Sequence, residues 1–443
     1  MTKPGGMVVG AVFISLFVYS SPAFAFGNPS NTSRRSEMRA ELRDMAMDAA
    51  ISHQEKESGS NEVRETVMEF VLARLRPYTS ITMEYDDNYF QTEKGKKDYL
   101  INTVRPGIRF VLGKEEEDEE ERTLELELPD EKKKERHELD LDMGVNISTF
   151  LSKATLNTQL PYVSLLSRLG RGRHDITFNY GYSQETEVKS VLVAGAEGVV
   201  DRNIQTMGAG WETSFNRLGF AVDYMKTDYF FKTDFKESNN LEEQMVSLTG
   251  YFKPLPMPKT RFLIEYDITN GVYCKSNTKD NDYDSRKIWL GVKGKLAPKT
   301  TGLVKVGYDD KNYKGIVDKE TTTAEIDLTH KYSSKTELLF KYKRETEESP
   351  RRSEGYKDTN KFDLGSSYRL TKRLTLINGI EFTHEDSNTG VTNKIYDYTT
   401  KLKFSLRKWL SAYIQYEYEK KDSNVAGGGY VSNVYTFKTE AAF

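Results

Sequence analysis

The sequence predicts an all-β protein: a closed antiparallel transmembrane barrel of about eighteen strands, preceded by a short helical periplasmic segment. Three observations lead there. From Tyr78 onward apolar and polar residues alternate with period two, over runs of about 12 to 15 residues, longer than the strands of soluble sheets. The connections between the runs alternate between short and long. The chain is 37% hydrophobic and 30% charged, with mean hydropathy -0.66, yet it carries 27 Tyr and 22 Phe. That is thin apolar material for a soluble core of this length, and far too aromatic for a disordered chain.

The first residues set the compartment. Lys3 precedes the apolar run "MVVGAVFISLFVY", and Ala23, Phe24 and Ala25 give the small-x-small pattern of a cleavage site. Residues 1–25 therefore read as a secretory signal peptide cut after Ala25. No Cys follows the cut, which argues against a lipoprotein. The single cysteine, Cys274, excludes an internal disulfide framework and a cysteine metal cluster. No stretch approaches the roughly 20 apolar residues of a spanning helix. Residues 26–77 form a helical or mobile periplasmic segment. "RRSEMRAELRDMAMDAAIS" consists of good helix formers, and Val63, Val67, Phe70 and Val71 fall at helical spacing before Pro77. The far end of this stretch also fits the start of a first strand.

The barrel domain is expected over 78–443. In "HELDLDMGVNIS", Leu139, Leu141, Met143, Val145 and Ile147 alternate with Asp140, Asp142, Gly144, Asn146 and Ser148. "RFLIEYDIT", "AEIDLTHK" and "YDYTTKLKFSLRK" repeat the pattern, with charges on the second face each time. One wet face is ordinary in a soluble sandwich. Long strands with an apolar face and a charged face in nearly every case fit a barrel with a wet lumen.

The stretch "EYDDNYF" at 84–90 is expected at the top of an up-strand. Its rings would lie at headgroup level, and its Asp and Asn would open the loop. It lacks the D-x-D-x-D-G spacing of a calcium loop. Echoes of Tyr85 at Tyr180, Tyr224, Tyr266, Tyr308, Tyr342, Phe382 and Tyr416 each precede a polar loop, which predicts an aromatic girdle. Between these loops lie short turns such as "RLGRGRH", "NRLG", "APKTT", "LTKR" and "LRKW". Long outer loops and short periplasmic turns give both chain ends to the periplasm. The last strand, "YVSNVYTFKTEAAF", ends on Phe443 with aromatics in register, the form of an assembly signal. A charged insert at 113–138, "GKEEEDEEERTLELELPDEKKKERHE", interrupts the rhythm on the turn side and reads as solvated or as a docking element.

Lumen positions follow from the alternation. Lys293, Lys295, Lys305, Lys341, Lys343, Arg369, Lys401, Lys403 and Arg407 fall on the polar face, mostly on later strands. Asp140, Asp142, Glu265, Asp267, Glu325, Asp327 and Glu381 fall on the same face elsewhere. A basic wall opposite an acidic one is expected, with a preference for anions. The net charge of -3 points to no nucleic-acid partner. No cofactor or metal is expected. The five histidines, His53, His137, His174, His330 and His384, show no triad spacing and no H-E-x-x-H, which argues against an enzyme.

"YTSITMEYDDNYFQTEKGKKDYLINTVRPGIRFVLG" resembles the first hairpin of outer-membrane beta-barrel porins often found beside exopolysaccharide genes. Glu84, Tyr85, Asp86, Asp87 and Asn88 match the E-Y-D/N-D-N part. Pro106, Gly107 and Ile108 match the downstream P-G-L/I strand. The charged insert departs from that pattern. The resemblance implies a barrel in the Gram-negative outer membrane, in contact with its lipids and lipopolysaccharide and inserted by the barrel-assembly machinery. It implies a porin-like channel for exopolysaccharide export, with polysaccharide export components as partners, or for diffusion of polar or anionic solutes. The alternative is a plugged barrel serving attachment or envelope assembly.

Overall fold

The computed structural model describes residues 74–113, 136–151, 156–188, 199–231, 240–255, 259–273, 282–315, 317–348 and 355–442. The expected signal peptide, nearly all of the expected helical segment, most of the charged insert and Phe443 lie outside the described residues. Eighteen strands follow one another: β1 (Leu75–Asp86), β2 (Tyr99–Leu112), β3 (Arg136–Phe150), β4 (Thr158–Arg171), β5 (His174–Val188), β6 (Val199–Phe215), β7 (Leu218–Phe231), β8 (Leu241–Phe252) and β9 (Thr260–Tyr273). They continue as β10 (Tyr283–Ala297), β11 (Thr300–Tyr313), β12 (Lys319–Lys331), β13 (Thr336–Glu348), β14 (Tyr356–Thr371), β15 (Leu374–Ser387), β16 (Thr392–Arg407), β17 (Leu410–Ser423) and β18 (Tyr430–Ala442). Each strand pairs antiparallel with the next, and β1 pairs with β18. The sheet is closed and has no free edge, which lets a sheet span lipid without unpaired backbone groups.

The two faces divide by chemistry. Cross-strand partners share a face, so the register carries each assignment around the ring. The outer face is apolar: Ile264 is 51% exposed, Leu290 59% and Ile380 56%. The inner face carries the charged and hydroxyl side chains. A soluble fold would bury the first set and expose the second; this inversion is the signature of a lipid-facing barrel.

β1 begins and β18 ends at the same end of the barrel, called here the turn end. Five connections at this end are only two residues long: 172–173, 216–217, 298–299, 372–373 and 408–409. Gly172 (φ +62°) and Asn216 (φ +53°) supply the positive φ that two-residue hairpins favour. The opposite end is the loop end.

β1 starts at Leu75, before Pro77, so the expectation that Pro77 closes a helix is corrected. The ladder to β18 starts one residue later, at Tyr78↔Ala442, so a proline is tolerated just outside it.

Candidate functional site

The candidate site is the lumen wall together with the seam that closes it. Asp140, Asp142, Glu265, Asp267, Lys293, Lys305, Glu325, Asp327, Lys341, Lys343, Glu381, Lys401 and Lys403 occupy inward positions in the register. One other position expected in the lumen, Arg407, needs correction. Each of β10, β14 and β16 shifts register at its turn-end terminus, between Lys295 and Ala297, Arg369 and Thr371, and Ser405 and Arg407. A bulge breaks the period of two on which the expectation rests. Arg407 lies beyond its bulge and pairs with Leu410 on the outer side. Lys295 and Arg369 pair just before their bulges, with Thr301 and Thr375, and keep the inward parity at the exposed turn-end rim.

The basic wall opposite an acidic wall is also corrected. The charges interleave. Lys305 lies 3.1 Å from both Glu265 and Glu325. Lys341 lies 3.8 Å from Asp327, Lys361 lies 2.6 Å from Glu381, and Lys343 pairs with Glu345. Trp289 donates its indole N–H to Asp267 at 3.1 Å, and the Lys305 ammonium sits 4.5 Å from the Trp289 ring centre. Each of these pairs joins strands one or two positions apart or residues on one strand. They run along the wall, and none of them reaches across the barrel.

One row breaks the interleaving. Asp363, Glu381, Asp397 and Glu419 stand directly opposite one another on β14, β15, β16 and β17. Adjacent like charges in a ladder are destabilising. On the turn-end side of this row Gly365, Gly379 and Thr399 leave the wall bare. A cavity of about 240 Å³ opens there, bordered by Glu381, Asp397 and Lys401. A Cβ placed on Gly379 would meet nothing within 4 Å. The ammonium of Lys401, buried in the wall, sits 4.8 Å from the Tyr413 ring centre. Sequence reasoning missed Asp363, Asp397 and Glu419 as one row, because only register brings them level.

A second inward cluster lies nearer the turn end. Gly107 and Gly144 are adjacent in the register, and the Tyr78 and Tyr162 rings lie over them. The Tyr78 hydroxyl donates to Asp142 at 2.6 Å and also pairs with the Tyr162 hydroxyl. The Arg105 guanidinium stacks 4.1 Å from the Tyr162 ring centre, and Arg109 grips Asp140 through two bonds of 3.0 and 2.5 Å. Gly107 of the P-G-I stretch is thus a seat for a ring.

The "EYDDNYF" stretch has a different role from the one expected. Tyr85 faces outward, 6.3 Å from the Tyr435 ring. Tyr89 and Phe90 do not join a girdle. They fold into the barrel mouth against Tyr99, Ile101, Phe150 and Leu156, with Phe90 1% exposed. Burial raises the Tyr89 phenol above its ordinary value, with Glu84 and Asp86 adding to the effect. The polar residues do not simply open a loop; they lock the seam. Asp87 accepts from Asn433 N and Asn433 Nδ2, both at 2.7 Å, and Asp86 accepts from the Ser432 hydroxyl at 2.7 Å. Asn88 is fully buried and donates through Nδ2 to the carbonyls of Thr92 and Val431, both at 2.9 Å. The residue pairing between β1 and β18 ends at Asp86↔Val434; one backbone bond, from Asp87 N to the Asn433 carbonyl at 3.1 Å, and these side chains continue the seam.

Tyr180, Tyr224, Tyr266, Tyr308, Tyr342, Phe382 and Tyr416 occupy outward positions, as Tyr85 does. Down-strand rings missed in the sequence join them: Tyr342–Phe362 at 4.6 Å, Phe382–Tyr396 at 5.0 Å and Tyr416–Tyr435 at 5.1 Å. A second belt at the turn end was missed entirely: Trp211, Phe215, Phe252, Tyr368 and Trp409 are all exposed. Among the described residues no group of three or more His, Cys, Asp or Glu is placed to hold a metal ion.

A closed 18-stranded barrel, apolar outside and charged within, with aromatic belts at both ends, defines a porin-like outer-membrane β-barrel. The chain belongs to the family described as "Putative beta-barrel porin 2", whose model matches residues 123–442. Solved structures of similar course include OpdK of Pseudomonas aeruginosa, at 8% identity and TM-score 0.44, covering 83% of this chain and 99% of that one. OccAB4 of Acinetobacter baumannii is similar at 12% identity and TM-score 0.45, covering 84% and 98%. OccK2 (OpdF) of Pseudomonas aeruginosa, solved in complex with glucuronate, is similar at 8% identity and TM-score 0.45, covering 84% and 98%. No curated protein matches the chain.

Proposed function

We propose that the protein is a channel for hydrophilic, hydroxyl-rich cargo, with an exported exopolysaccharide chain as its natural load. The observation that carries this reading is the lumen wall, where ion pairs such as Lys305 with Glu265 and Glu325 run along the wall. Charges paired along a wall are satisfied without bridging the bore, and barrels of 16 to 18 strands leave an aqueous lumen. The resemblance of the first hairpin to barrels beside exopolysaccharide genes supports the cargo. The carboxylate row of Asp363, Glu381, Asp397 and Glu419 supports a preference for cations over anions, the opposite of a basic wall.

The test is single-channel recording of the refolded chain in a planar bilayer under a KCl gradient. Conductance with a reversal potential on the cation side is expected. Glu381→Gln with Asp397→Asn should move that potential toward zero, and high salt should flatten it by screening. A refolded barrel without conductance overturns the channel. A strain lacking the gene that still secretes normal amounts of polysaccharide overturns the cargo while leaving the channel standing.

A further inference from the structure

The turn end is basic at six of its connections, while the acidic run 115–121 belongs to the insert between β2 and β3. Six of its hairpin connections carry an exposed cation each: Arg173, Arg217, Lys299, Lys335, Arg373 and Lys408. The connecting residues of these six turns include no Asp or Glu. None of the six side chains makes a salt bridge among the described residues, in contrast to the interleaved lumen. The loop end differs: Asp87, Asp282 and Asp318 stand in its connections beside the lysines.

Position decides what this collar faces. Lys408 is followed by outward Trp409, Lys335 lies three residues after exposed Tyr332, and Arg217 lies between Phe215 and Leu218. These rings and leucines form the turn-end belt, which lies at the boundary of lipid and water. The cations are therefore held at headgroup depth on the outer rim, away from the barrel axis where cargo would pass. Flexible cations beside interfacial aromatics meet phosphate, and a ring of them attracts an anionic leaflet.

We propose that the collar binds the phosphate headgroups of anionic phospholipid in the leaflet at the turn end. The collar thereby sets the barrel's depth and recruits a specific lipid annulus. This goes beyond the channel reading and does not depend on an open lumen.

The test uses the refolded full chain in bilayers of phosphatidylcholine doped with spin-labelled phosphatidylglycerol or spin-labelled phosphatidylcholine. The motionally restricted fraction is read by electron paramagnetic resonance. The wild type should hold the phosphatidylglycerol label several-fold more strongly than the phosphatidylcholine label. Raising salt from about 0.1 M to about 1 M shortens the Debye length from roughly 10 to 3 Å and should remove most of the difference. A variant carrying Arg217→Gln, Lys299→Gln, Lys335→Gln, Arg373→Gln and Lys408→Gln should lose the preference and keep its folded gel mobility. If that variant does not fold, Lys335→Gln with Arg373→Gln should show a partial loss. A control carrying Lys226→Gln and Lys420→Gln, at the loop end, should keep the preference. Equal restriction of the two labels by the wild type, or an undiminished preference in a folded collar variant, overturns the proposal. Displacement by inorganic phosphate beyond that by chloride at equal ionic strength marks a free-anion site and overturns it. So does capture of polyglutamate by a wild type that shows no lipid preference.

Discussion

Replacing Asn88 by alanine tests whether the "EYDDNYF" stretch holds the barrel shut. Asn88 is fully buried and makes four side-chain bonds: to the carbonyls of Thr92 and Val431 at 2.9 Å, from Thr92 N at 3.0 Å and from the Thr92 hydroxyl at 3.3 Å. A neutral hydrogen bond contributes about 0.5–1.5 kcal/mol net. The three shorter bonds together contribute about 2–4 kcal/mol; water entering at the mouth offsets part of that loss, leaving about 2–3 kcal/mol. The β1–β18 ladder begins at Tyr78 and ends at Asp86, and β1 and β18 are the two strands that no hairpin joins. Unfolding that starts by parting this seam loses the bond to Val431 before its barrier, while the three to Thr92 lie within the loop. That one bond contributes about 0.5–1.5 kcal/mol, so the unfolding rate should rise roughly 2- to 10-fold, at tenfold per 1.36 kcal/mol, and the rest of the loss should appear in the equilibrium stability. The assay is the time course of loss of the heat-modifiable folded band in guanidinium and detergent. Asn424→Ala is the control. Its side chain accepts from Thr392 N at 2.9 Å and donates to Gly390 O at 2.8 Å, but between two loops away from the seam. An Asn88→Ala barrel that unfolds at the wild-type rate, or an Asn424→Ala barrel equally accelerated, refutes the latch.

Other expectations follow from the same register. Gly144→Ala would place a Cβ 2.2 Å from the Tyr162 hydroxyl and 2.5 Å from the Pro106 carbonyl, so it should destabilise the barrel by about 1–3 kcal/mol in a guanidinium titration. Gly379→Ala, whose Cβ meets open space, should be neutral or stabilising by up to about 1 kcal/mol in the same titration. Leu290→Lys, on the lipid face and 59% exposed, should cost about 2–4 kcal/mol in the bilayer, and equal stability would mean that this face does not meet hydrocarbon.

The strand count and the two-faced pattern were legible because a lipid-spanning strand must repeat its alternation over its whole length. Leu139 to Ile147 and Phe262 to Ile268 carry the signal without help from tertiary structure. Tyr85, Tyr266 and Tyr308 were legible for the same reason: each ends a run and precedes a loop. Arg407 was misplaced because parity is counted from one end of a run, and the bulge after Ser405 resets it. No composition signal marks that bulge. Arg369 on β14 and Lys295 on β10 pair just before such a shift and so keep the parity read from the sequence.

What stayed hidden is what only register can create. Asp363, Glu381, Asp397 and Glu419 each lie on a polar face in sequence, but nothing in sequence says that they stand level across four strands. A shift of one hairpin by two residues would keep every side chain on its face and dissolve the row. The seam is the extreme case. Asp87 and Asn433 lie 346 positions apart and meet through two bonds of 2.7 Å. Hairpin turns set each register locally from β3 onward, yet no turn joins β18 to β1. Closure therefore needs its own specification, and the buried amide of Asn88 with the carboxylates of Asp86 and Asp87 supplies it. The acid and amide that look out of place among the rings of "EYDDNYF" follow from this geometry: the rings fill the mouth, and the polar groups fix which residues of the last strand the first strand meets.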